Sequence, residues 1–216
     1  MPSCRMLLTI LLSVTAITPI AADEIIRQRD DDLKNSSAIR ELVRRGAVVK
    51  RFAITESDTA GLLVRLKSEH LDQHGQISTE ILTELSSLKD LALELRGLPL
   101  SDTGLKPLVK NLKLIGLDVS GSKISDRGLL DLPSQRASLR ILDLSFTKVS
   151  DVGLKAVTTL RELRHLSLID CRVTDDGIEG LIRLTKVREI YLSKTEVSDK
   201  ATEQLQRTLP TCRIER

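Results

Sequence analysis

Apolar positions recur in a fixed order through the second half of the chain. The segments Ser101-Asp-Thr-Gly-Leu105, Ser125-Asp-Arg-Gly-Leu129, Ser150-Asp-Val-Gly-Leu154, Thr174-Asp-Asp-Gly-Ile178 and Ser198-Asp-Lys-Ala-Thr202 start 24, 25, 24 and 24 residues apart. Before each signature lies an aliphatic set with matching offsets: Leu114, Leu117, Val119 and Ile124; Leu139, Leu142, Leu144 and Val149; Leu163, Leu166, Leu168 and Val173; Val187, Ile190, Leu192 and Val197. The alternating part of each set predicts a strand with one buried face. After the signature, Leu105 and Leu108, Leu154 and Val157, and Ile178, Leu181 and Ile182 recur at three- and four-residue spacing, which predicts a short amphipathic helix.

Each unit therefore reads as strand, turn, helix, with the helix carrying the chain back to start a parallel strand beside the last. A fixed period of this size defines a solenoid, in which every unit buries its aliphatic rows only against its neighbours. The expected architecture is α/β, with the parallel sheet on the concave face and short helices on the convex face. The Ser or Thr of each signature suits a helix N-cap, and the following Asp suits the positive end of the helix dipole. Calcium binding by the ladder Asp102, Asp126, Asp151, Asp175 and Asp199 is disfavoured, because neither an EF-hand loop nor the glycine-rich turns of calcium-binding solenoids are present.

With these motifs in view, residues 88–216 resemble leucine-rich repeats. The type is the Val-[Ser/Thr]-Asp-x-Gly-Leu repeat found in secreted bacterial repeat proteins and, as a relative, in the repeat part of F-box proteins. The resemblance implies a leucine-rich repeat solenoid and says little about a ligand. It also implies that the residue after the strand, here Ser122, Thr147, Cys171 and Thr195, turns inward and hydrogen-bonds the turn. The sequence departs from the pattern at 88–100, where Leu91, Leu93 and Leu95 leave the register open, and in the last unit, where Ala201-Thr202 replaces Gly-Leu.

The remaining segments are read as follows. Residues 1–22 contain Arg5, then the apolar run Leu7 to Ile20 and Ala21-Ala22, the order of a cleaved signal peptide; export to the periplasm or the medium is expected. Residues 23–37 form an acidic, flexible segment. Residues 38–87 form an N-terminal cap: a helix from Ala38 to Arg45 capped by Ser36 or Ser37, a hairpin of Val48 to Thr55 with Leu62 to Leu66, and a degenerate repeat at Ser78. The repeats proper span 88–204, and 205–216 close the array with a short edge strand.

Composition narrows function mainly by exclusion. The 33 Lys and Arg against 30 Asp and Glu leave a formal charge of +3, which gives no warrant for nucleic-acid binding or for a basic membrane-facing surface. With no Trp, one Tyr and two Phe, aromatic-lined pockets are not expected. Cys171 and Cys212 fall in different units and are not expected to pair. His70 and His74 lack the Glu of a zinc helix and read as loop residues, so no metal is assigned. No phosphate loop, dinucleotide fingerprint or nucleophile elbow occurs, and no cofactor is expected.

Function is left to the concave sheet. Outward positions form three columns: Ala92, Gly116, Ile141, His165, Glu189; Glu94, Asp118, Asp143, Ser167, Tyr191; and Arg96, Ser120, Ser145, Ile169, Ser193. The first half is small and acidic, while Ile141, Phe146, His165, Ile169 and Tyr191 gather in the second half as the candidate partner-binding patch. The expectation is a monomeric, non-catalytic scaffold that binds a protein or other macromolecule, does not bind nucleic acid and does not insert into a membrane once the signal is removed. The alternatives are an F-box-like substrate-recognition module, and a cell-envelope enzyme using Glu94, Asp118 and Asp143 with His165.

Overall fold

The computed structural model describes residues 36–52 and 61–216. The signal segment, the acidic segment up to residue 35 and the hairpin connection at 53–60 lie outside them. At the front, helix α1 (Ser37–Arg44) begins where the Ser36 side chain accepts from Ile39 N–H, and the chain leaves it through Gly46 at φ 94°. Strands β1 (Val48–Phe52) and β2 (Gly61–Arg65) pair antiparallel. Helix α2 (Thr79–Ser86), capped by Ser78, completes the degenerate unit.

From β2 onward every pairing is parallel. β3 (Leu91–Glu94), β4 (Leu114–Asp118), β5 (Ile141–Asp143), β6 (His165–Ser167), β7 (Glu189–Tyr191) and β8 (Arg213–Glu215) follow in sequence order in one sheet with β1 and β2. Leu93, Leu117, Leu142, Leu166 and Ile190 are matched residue for residue across it and are fully buried. The open register of the first unit is resolved by an irregularity between Leu91 and Ala92, after which Ala92 faces Gly116. β8 supplies the expected edge strand.

The helical side varies more than the strand side. Helices α3 (Asp102–Asn111), α4 (Asp151–Val157) and α6 (Asp199–Thr208) are α-helical, and α5 (Asp175–Ile178) passes directly into a 3-10 turn. The unit at Ser125 has only two 3-10 turns, Asp126–Leu129 and Leu132–Gln135. Pro133 in the second turn has no N–H to donate into a longer helix.

The signature does more than cap helices. Asp102 Oδ1 and Oδ2 accept from Ser125 N–H (2.8 Å) and Ser125 Oγ (2.6 Å) of the next unit. Asp126 does the same with Ser150 (2.8 and 2.7 Å), Asp151 with Thr174 (2.9 and 2.7 Å) and Asp175 with Ser198 (2.6 and 2.8 Å). The Ser198 N–H and hydroxyl hold the Asp175 carboxyl below its usual range, as charge-assisted bonds must. The glycine of the signature follows from this joint. A Cβ at Gly128 or Gly153 would lie 2.5 Å from the Oδ1 of Asp102 or Asp126, and one at Gly177 would lie closer still to Asp151.

The Asp does stand in the first turn, as expected, and its carboxylate has a second role that joins successive units. Thr174 departs from the cap reading, whereas Ser125, Ser150 and Ser198 make both bonds. It makes no side-chain cap bond and donates its hydroxyl to Asp151. At the front end Gly75 carbonyl takes the place of the carboxylate, accepting from Ser101 N–H at 3.2 Å. At the back Asp199 pairs with Arg216.

Candidate functional site

Each strand of the concave sheet is followed by a turn whose geometry decides what the sheet rim displays. The turn residue is left-handed in five successive units: Gly97 (φ 67°), Gly121 (68°), Phe146 (58°), Asp170 (57°) and Lys194 (62°). Glycine occupies this region freely, whereas an L-residue there brings its Cβ against the next carbonyl at a cost of ~1–2 kcal/mol. The residue immediately after it turns inward as the resemblance implied: Thr147 Oγ1 donates to Leu144 O (2.6 Å), Cys171 Sγ to the same carbonyl (3.1 Å) and Thr195 Oγ1 to Leu192 O (2.6 Å). Ser122 differs in detail, its hydroxyl accepting from Ile124 N–H.

The expected columns are matched across the sheet, since Ile141 pairs with His165 and His165 with Glu189, while Asp143, Ser167 and Tyr191 form the next line. The expectation that all five patch residues lie open is corrected. Ile141 is fully buried and His165 is 7% exposed; Ile169 and Tyr191 are half-buried; Phe146 alone is exposed, at 44%. Side chains in the middle of a column are flanked by their equivalents on strands only ~4.8 Å away. Phe146 escapes this because it stands on the rim turn, its N–H held by Ile169 O at 2.7 Å.

The structure gathers His165, Glu189 and Tyr191 into one group. His165 Nδ1 lies 3.0 Å from Glu189 Oε2, and Tyr191 OH donates to the same oxygen at 3.2 Å. The His165 contact holds the Glu189 carboxyl below its usual range, and burial together with the Glu189 charge pushes the Tyr191 phenol up to about 12. Glu189 was a column member in the sequence but not a patch residue. Its role was missed because a side chain two strands from Ile141 carries no mark of which neighbour it bonds.

The front half of the same face is occupied by ion pairs. Arg65 pairs with Glu94 at 2.9 Å, and Arg96 with Asp118 at 3.1 Å; Asp118 also accepts from Ser120 N–H and Oγ, and Asp143 from Ser145 N–H. This arrangement differs from what the alternative reading, an enzyme using Glu94, Asp118 and Asp143 with His165, would need. The ring of His165 is taken by Glu189, and the acids are engaged by arginine and by their own turns. Among the described residues no group of three or more His, Cys, Asp or Glu is placed to hold a metal, and no helix is long and apolar enough to cross a membrane. Cys171 and Cys212 are buried free thiols, both held in the protonated direction mainly by burial.

On the helix side a groove of about 650 Å³ is lined by α5, the 3-10 turn after it and α6, with Asp175, Glu179, Arg183 and Lys200 among its lining residues.

Comparison with known proteins agrees with the architecture. A family model described as Leucine Rich repeat matches residues 137–157 and 159–181, the units that carry Ser150 and Thr174. Among solved structures the chain is similar to a leucine-rich repeat protein of Leptospira interrogans (21% identity, TM-score 0.42, 65% of this chain and 34% of that one). It is also similar to the leucine-rich repeat ectodomain of the receptor kinase SOBIR1 from Arabidopsis thaliana (20% identity, TM-score 0.41, 75% of this chain and 95% of that one). The chain thus spans about a third of the length of the Leptospira protein. No curated protein matches. The fold is the leucine-rich repeat α/β solenoid, a repeat scaffold.

Proposed function

We propose that this protein is an exported, non-catalytic scaffold that binds a protein partner through the late-repeat corner of its concave sheet. Export rests on residues 1–22, and the binding corner on Phe146. This residue is bulky, exposed and left-handed at a turn where two sister units have glycine. Holding it there costs ~1–2 kcal/mol, and 44% of the residue still faces solvent. Strain kept at an exposed aromatic is the mark of a side chain positioned for contact with something else. Ile169, joined to Phe146 through the backbone, and Tyr191 extend the same surface.

The test separates binding from stability. A photo-reactive amino acid at position 169, expressed in the native host, should yield a protein adduct, while the same group at Ile182 on the helix side should not. Phe146→Gly should diminish the adduct and raise the melting temperature together. An adduct from position 182 alone, or undiminished capture by Phe146→Gly, overturns the concave assignment.

A further inference from the structure

The corner just assigned contains a carboxylate whose ion pairing is incomplete. On the concave face Glu94, Asp118 and Glu215 each have an arginine partner, in Arg65, Arg96 and Arg213. Glu189 has none. Its only bonded neighbours among the described residues are His165 and Tyr191, and both engage the same oxygen, Oε2. Its side chain is 27% exposed, and Oε1 has no donor.

His165 supplies a second, independent sign. A carboxylate oxygen only accepts, so the proton of the neutral ring lies on Nδ1 and the lone pair on Nε2. Nε2 is buried and has no hydrogen-bond partner. A buried polar atom left unpaired in a native structure calls for an explanation. With the ring neutral the group presents two acceptors without donors, Nε2 and Oε1, beside a carboxylate whose charge the cross-strand Arg213 offsets only from outside bonding distance, and beside the half-buried face of Tyr191, whose hydroxyl is tied down.

We propose that the His165, Glu189 and Tyr191 group is the specificity-determining element of the concave face, and that it takes a lysine or arginine side chain from the protein partner. A cationic N–H donor meets Oε1 as a charge-assisted bond and rests against the Tyr191 ring, an arrangement that favours cations over carboxylates. His165 orients Glu189 through Nδ1, which makes it a positioning residue. The inference rests on the concave face being the binding surface, and names the chemistry of what that surface selects.

The experiment uses the acetylated, amidated tripeptides Gly-Lys-Gly and Gly-Glu-Gly as probes, titrated into the mature chain and followed by NMR of the Tyr191 ring. Tyr191 is the only tyrosine, so its ring signals need no assignment. The lysine peptide should shift them saturably, and the glutamate peptide should not. Glu189→Gln should weaken the lysine peptide about tenfold or more, the loss expected of one charge-assisted bond. Equal response to both peptides, no response to either, or an unchanged affinity in Glu189→Gln overturns the proposal. Partner capture distinguishes this failure from the failure of the surface itself. If Phe146→Gly loses the partner and Glu189→Gln keeps it, the surface stands and the cation reading falls; if both keep it, both fall.

Discussion

The joints between repeats and the late corner of the concave sheet use the same groups, carboxylates with hydroxyls and backbone N–H, to opposite ends. At each joint both oxygens of an Asp are bonded by the next unit, as Asp126 is by Ser150 and Gly153 N–H. At the corner, both donors to Glu189 crowd one oxygen, His165 keeps a bare Nε2, and Phe146 stands in a strained backbone region. Saturated polar groups rigidify a stack, whereas the unsaturated ones and the retained strain at the corner are what the proposed binding surface rests on.

The contrast can be broken first at its base. Leu142→Ala should cost ~2–5 kcal/mol in urea unfolding, because the rows above and below cannot close the cavity. A loss below ~1 kcal/mol would remove Leu142 from the core. Next, Asp126→Ala should cost ~2–3 kcal/mol by stranding two N–H groups and a hydroxyl of the next unit. Gly177→Ala should be strongly destabilising alone but milder when combined with Asp151→Ala, since the clash is with that side chain; strict additivity would deny the coupling.

At the corner the sign reverses. Phe146→Gly should stabilise by ~1 kcal/mol, a rise of about 2–4 °C in melting temperature, against the usual direction for losing an aromatic. A fall would mean that Phe146 is a packing residue. The smallest effect is spectroscopic: Tyr191 should ionise near pH 12 by ultraviolet absorbance, and Glu189→Gln should bring that midpoint down. A tyrosine whose folded pKa is raised contributes stability that is complete below its unfolded value of ~10 and is lost as pH climbs through about 12.

The repeat period, the Leu117 to Ile190 row, the column partners and the terminal units were legible in the chain, because each follows from local periodicity copied at constant spacing. The Ser-Asp-x-Gly signature was legible as a capped helix start, but the bond it makes between units was not. A capped helix explains Ser101 and its neighbours, yet nothing local shows that Asp102 reaches Ser125, or that Gly128 is required because Asp102 fills the place of its Cβ. The same limit applied at the corner. Sequence placed Ile141, Phe146, His165, Ile169 and Tyr191 on one face, but the packing of adjacent strands buried two of them, the turn geometry lifted Phe146 onto the rim, and the rotamers of His165 and Tyr191 selected one oxygen of Glu189. Periodicity fixes which side of a strand a residue occupies. Exposure and bonding depend on residues about 24 positions away in the chain and one strand away in space, and only the assembled sheet brings those together.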